Sequence, residues 1–147
     1  MSVQQMTRLR AALGDYAHTI ALKNKQIASQ SVAFDFTEVK PVYKAFGAMV
    51  REQAFDVSEM AIVSYLQAKS HGKPLVLLPA VMMGRFQHHC MLYNAERGAI
   101  TPSNLHGRRV GVRSFAQTTG VWLRGHLQND YGVDIGSVQW VSFEDAQ

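Results

Sequence analysis

Hydrophobic and polar positions alternate in short blocks along the chain, and the period changes from block to block. Arg8 to Leu13 places Leu9, Ala11 and Leu13 on one face, the period-two pattern of a half-buried strand. Gly14-Asp15 interrupts it, and Tyr16 to Gln26 reads as a short helix. Val32, Phe34 and Phe36 alternate with Ala33, Asp35 and Thr37, a second strand. Pro41 is suited to the first turn of a helix, and Tyr43, Phe46 and Val50 then form an i, i+3, i+7 stripe. Phe55-Asp56-Val57 predicts a brief strand. A helix follows from about Glu59 to near Gly72, with Ile62, Val63 and Leu66 inward. Leu75 to Leu78 is apolar throughout, the composition of a central strand covered on both faces. His89 to Tyr93 predicts a further strand, and Thr101-Pro102-Ser103 a short turn ending at Gly107. Arg109 to Arg113 is again a strand, Gln117 to Tyr131 a helix stopped by Gly132, and Val138 to Phe143 a last strand.

Strands that alternate with helices predict an α/β fold with a mainly parallel sheet. In such sheets ligands sit beyond the carboxyl ends of the strands. That rule selects five places: Asp15-Tyr16, Ser58-Glu59, Arg85-Phe86, His88-His89-Cys90, and the stretch from Arg113 to Thr119.

Composition narrows the partners. The net charge of +4 is spread along the chain without a Lys/Arg block, so a nucleic-acid partner is not expected. No run approaches the roughly 18 apolar residues of a membrane span. The single cysteine, Cys90, can close no internal disulfide, and the first residues lack the apolar core of a secretory signal. These features predict a cytoplasmic protein, or a periplasmic one if a signal peptide precedes this sequence.

Among the five places, the last has the most definite chemistry. A helix N-terminus presents unpaired N–H groups and a partial positive charge. Thr118 and Thr119 add hydroxyls, and Arg113 adds a fork that matches a carboxylate. The same threonines also suit helix capping, as does Ser58 before Glu59. Glu59 can accept from ligand hydroxyls or complement a helix dipole. Phe86 and Phe115 suit contact with an aromatic ligand, whereas Trp122 reads as packing and Met82-Met83 as adaptable filler. His88 and His89 would point to opposite faces of a strand, and no compact set of further ligands accompanies them, so neither a metal nor another cofactor is expected. A histidine remains suited to proton transfer near neutrality. No Walker loop, dinucleotide fingerprint or H-E-x-x-H occurs.

Several segments resemble the 4,5-dihydroxyphthalate decarboxylase family. They are Leu13-Gly14-Asp15-Tyr16, Phe55 to Met60 with Ser64-Tyr65-Leu66, Leu105 to Val112, Thr118 to Gly125, and Tyr131 to Asp134. The resemblance implies a type-2 periplasmic-binding-protein-like fold, in which two α/β lobes close over a ligand. It places at 1–86 a first lobe lacking its C-terminal return segment and at 87–147 a partial second lobe, since members are roughly twice this length, the size of two domains. It also implies release of CO2 from a dihydroxylated aromatic dicarboxylate. His88 would then be the proton donor. Asp15, Tyr16, Ser58, Glu59, Arg85, Phe86, Arg113, Thr118 and Thr119 would bind the ligand. The sequence departs from the family at Gln87, where an arginine is frequent, and at Arg113-Ser114, where many members carry proline and an acidic residue.

Three functions compete on this evidence. The first is a decarboxylase acting on a small anionic aromatic carboxylate. The second is a non-catalytic small-anion-binding protein of the ABC-transporter substrate-binding type. The third is a truncated, inactive chain that folds as a homo-oligomer by covering its open edges with a second copy.

Overall fold

Ala11 and Ala12 are fully buried, and they mark the centre of the first sheet. They end β1 (Thr7–Ala12), which runs between β2 (Val32–Phe36) and β3 (Val57–Ser58) in the order β2-β1-β3. Both pairings are parallel, with Ala11 opposite Phe36 on one side and Val57 on the other. A small side chain suits a position flanked by strands on both edges. The protein is described here by a computed structural model covering residues 6–143. Within it the chain falls into two compact units, divided between Pro79 and Ala80.

In the first unit α1 (Ala17–Lys23) connects β1 to β2, and α2 (Ala45–Glu52) connects β2 to β3. Each is a strand–helix–strand crossover, the connection that parallel pairing requires. Pro41 precedes a 3₁₀ turn, Val42–Lys44, and α2 proper begins only at Ala45. The following helix, α3, spans Ile62–Ser70. It starts later than the expected Glu59, its N-cap is Ala61, and Leu66 is exposed instead of inward. Ser58 therefore caps no helix; it is the last residue of β3.

The apolar run at 75–78 forms no strand. Leu75 is buried, but Val76, Leu77 and Leu78 are exposed, Val76 at 86%. Pro74 and Pro79 bracket the run and remove backbone donors at both ends, which opposes a place in the middle of a sheet. Leu75 instead donates its N–H to the Lys73 carbonyl at 2.8 Å, a local turn.

The second unit is built on one strand–helix–strand crossover. β4 (Arg109–Val112) and β5 (Gln139–Ser142) pair in parallel, with Val110 opposite Trp140. Between them runs α4 (Thr118–Asn129). Leu105, Leu127, Val133 and Val138 form its buried core, with Ile100, Val110, Ile135 and Trp140 packed against them. Gly132 follows α4 with φ +66°, a left-handed conformation that lets the chain turn back toward β5. The strand expected at 89–93 is absent. His88–Cys90 is a 3₁₀ turn held by local bonds, Cys90 N–H to Gln87 O at 2.9 Å and Met91 N–H to His88 O at 3.1 Å.

The structure is thus mixed α/β with two small parallel sheets and four α-helices among the described residues. None of those helices is long and apolar enough to cross a membrane.

Candidate functional site

Parallel pairing puts the carboxyl ends of β1, β2 and β3 on one edge of the first sheet, and candidate residues of the first unit gather there. The Glu59 carboxylate spans two strand exits. Its Oε2 accepts the Gly14 N–H at 2.7 Å, and its Oε1 accepts the Tyr16 hydroxyl at 2.8 Å. Burial, reinforced by the hydrogen bond to Glu59, pushes the Tyr16 hydroxyl pKa up to about 12. Thr19, itself buried, accepts the Tyr16 N–H at 2.9 Å and donates to the Gly14 carbonyl at 2.7 Å. A Cβ at Gly14 would lie 2.7 Å from the Tyr16 ring, so a side chain there would push that ring from its present position. The Ser58 hydroxyl is turned to the Glu59 carbonyl at 2.9 Å.

Asp15 belongs to a neighbouring ionic cluster. It pairs with Lys23 and, at 3.3 Å, with Lys40, which also pairs with Glu38. The hydrogen bonds from Lys23 and then Lys40 hold the Asp15 carboxyl below the usual aspartate range. These groups line a depression of about 230 Å³ together with Leu13, Gly14 and Tyr16. Its charged rim offers both ammonium donors and carboxylate acceptors to a small polar ligand. The strand-end rule points to this sheet edge, where Asp15 and Tyr16 line the depression and Ser58 and Glu59 do not. It missed Lys23 and Lys40, which reach the same edge from inside α1 and from the loop after β2.

In the second unit the N-terminus of α4 lies just after β4. Gln117 is the N-cap and makes no side-chain capping bond; Thr118 and Thr119 open the helix. Arg85 reaches this end from an earlier loop and donates to the Thr119 hydroxyl at 3.2 Å. Arg113 follows β4 and is exposed, as are Phe86 and Phe115. A guanidinium, a hydroxyl and a helix N-terminus together suit an anion.

One further group stabilises this end. Arg124 is only 8% exposed and donates to the Phe115 carbonyl at 2.6 Å. Its guanidinium lies 3.9 Å from the Phe115 ring centroid and 5.6 Å from that of Trp140. Burial lowers its pKa from the ordinary arginine value, and its second terminal nitrogen, Nη1, is buried without a hydrogen-bond partner among the described residues. Arg124 thereby ties the loop before α4 to the helix that follows it. The signal in sequence is a charged residue on the Gly120-Arg124-Leu127 face, at helical spacing with the buried leucine.

His88 is placed elsewhere in this unit. Its ring centroid is 4.4 Å from that of His126 and 6.5 Å from that of Tyr131. His126 Nδ1 is 2.7 Å from the Asp130 carboxylate, and Trp122, half exposed, stacks on His126 with ring centroids 6.1 Å apart. Trp122 is thus a surface platform more than a core side chain.

No family model matches the chain. Curated relatives do. Over 135 residues it is 30% identical to the 4,5-dihydroxyphthalate decarboxylase of Comamonas testosteroni, an alignment covering 91% of this chain and 41% of that protein. Over 140 residues it is 26% identical to the 4,5-dihydroxyphthalate decarboxylase of Pseudomonas putida, covering 95% of this chain and 54% of that protein. The chain therefore spans between two-fifths and a little over half the length of these relatives.

Proposed function

We propose that this chain forms the substrate-binding part of a decarboxylase that acts on a dihydroxylated aromatic dicarboxylate of the 4,5-dihydroxyphthalate type. The observation that carries this reading is the similarity to two decarboxylases over 91% and 95% of the chain. In the second unit, Arg85 and Thr119, with Arg113 and Thr118 at the same helix end, are the anion-holding set, and Phe86 offers an aromatic face. In the first unit, Asp15, Tyr16, Ser58 and Glu59 are the set suited to phenolic hydroxyls. Decarboxylation returns the electron pair of the breaking C–C bond to the ring carbon, which takes a proton as CO2 leaves. His88, which lies against His126 about two turns along α4 from Thr119, is the proposed donor of that proton. Orientation and electrostatic stabilisation supply most of the rate in such a reaction.

The test is incubation with 4,5-dihydroxyphthalate, following CO2 and the 3,4-dihydroxybenzoate that loss of one carboxyl leaves, alongside calorimetric titration of the same compound. Arg85→Ala is expected to weaken binding about tenfold or more, since a hydrogen bond to a charged group is worth roughly 1.5–3 kcal/mol. Binding without CO2 release would favour a non-catalytic anion-binding protein. Neither binding nor turnover would overturn both readings.

A further inference from the structure

Adjacent histidines such as His88 and His89 do not suit one ion, yet the donors that the fold assembles are not neighbours in the chain. His126 and Asp130 stand four residues apart on α4, so they share one face of the helix. Their side chains already meet at 2.7 Å. His88 comes to them from the 3₁₀ turn at His88–Cys90 and lays its ring against that of His126. One ligand atom from each of the three residues lies within 4.8 Å of the other two. His88 and Asp130 are exposed and His126 is half-buried, so the cluster is open to an incoming ion.

We propose that His88, His126 and Asp130 form a binding site for a divalent transition metal ion of the zinc class. Two imidazoles and one carboxylate suit zinc, nickel or copper, whereas magnesium and calcium favour an all-oxygen set. Three protein ligands leave a fourth position for water or a small anion, the pattern of an open site. Ligand bonds of about 2.0–2.2 Å require the three donors to draw in from their present separation. The exposed side chains of His88 and Asp130 have the freedom to do so. His126 is the anchor: the rings of Trp122 and His88 lie against it, and Asp130 fixes its orientation. Asp130 supplies the third ligand, its carboxylate turning from His126 Nδ1 toward the ion.

Binding of the ion is independent of the decarboxylase reading. Its consequence for catalysis rests on that reading: a His88 nitrogen committed to a metal no longer delivers a proton, so occupancy would inhibit CO2 release.

The experiment is calorimetric titration of the chelator-treated 147-residue protein with zinc chloride, with circular dichroism confirming that each variant is folded. The expected result is one zinc per chain, with affinity reduced at least about tenfold in His88→Ala and in His126→Ala, and reduced also in Asp130→Asn, as is usual for groups that ligate or orient. Cys90→Ser, altered in the same turn as His88, should bind as the parent does. Parent affinity no higher than that of a His88→Ala/His126→Ala double variant would overturn the proposal. So would loss of binding in Cys90→Ser with binding retained in Asp130→Asn. Because heat of binding is read without turnover, an inactive protein leaves this result intact.

Discussion

Tyr16 is the residue whose chemistry the fold alters most visibly. Its hydroxyl gives up water for the Glu59 carboxylate, and ionising it would put two negative charges 2.8 Å apart. The neutral form is favoured, so the folded pKa rises from 10.0 to about 12. By linkage, the stability tied to this group is whole below about pH 10 and is lost as the pH climbs through about 12. An ultraviolet titration should therefore show one of the five tyrosines ionising near pH 12, and Glu59→Gln should return it toward the ordinary range. If all the tyrosines ionised together near pH 10 in the folded protein, the Tyr16–Glu59 pair would be refuted. This pair was within reach of the sequence, because both residues directly follow strands that a period-two pattern reveals. The Lys23 and Lys40 partners of Asp15 were not. A lysine in a helix or loop carries no sign of which carboxylate its flexible stem will reach.

At the level of elements, the alternating segments at 8–13, 32–36, 109–113 and 138–143 predict β1, β2, β4 and β5 to within a residue or two at either end. A strand with one face inward writes that fact into its own residues. The stretches at 75–78 and 89–93 failed because composition alone cannot supply a neighbouring strand, and local bonds or flanking prolines prevailed. The start of α3 failed for a different reason. Ala61 caps it without a side-chain bond, so the serine three residues earlier was the more conspicuous signal. The end of α4, by contrast, was legible in Gly132. Its φ of +66° makes Gly132→Ala costly, and destabilisation of about 1–2 kcal/mol is expected in urea denaturation. No change in the denaturation midpoint would show that this turn adopts another conformation in solution.

Across the whole molecule, burial is shallow. No large side chain among the described residues is fully buried, while Val76, Leu77, Leu78, Val81, Met83 and Phe86 are exposed in one stretch. So many exposed apolar side chains within one short run of sequence are unusual on an isolated soluble chain. The 147-residue protein is accordingly expected to self-associate, eluting with a light-scattering mass well above its 16.4 kDa. A monodisperse monomer that does not enhance a hydrophobic dye would contradict this. The prolines at 74 and 79 give that stretch a further property. An uncharged run of leucine and valine is the kind of segment that stacks into cross-β fibrils, and a residue without an N–H at each end interrupts the hydrogen-bond ladder that such growth needs. Pro74 and Pro79 thus stand in the position of gatekeepers, one at each end of the apolar run.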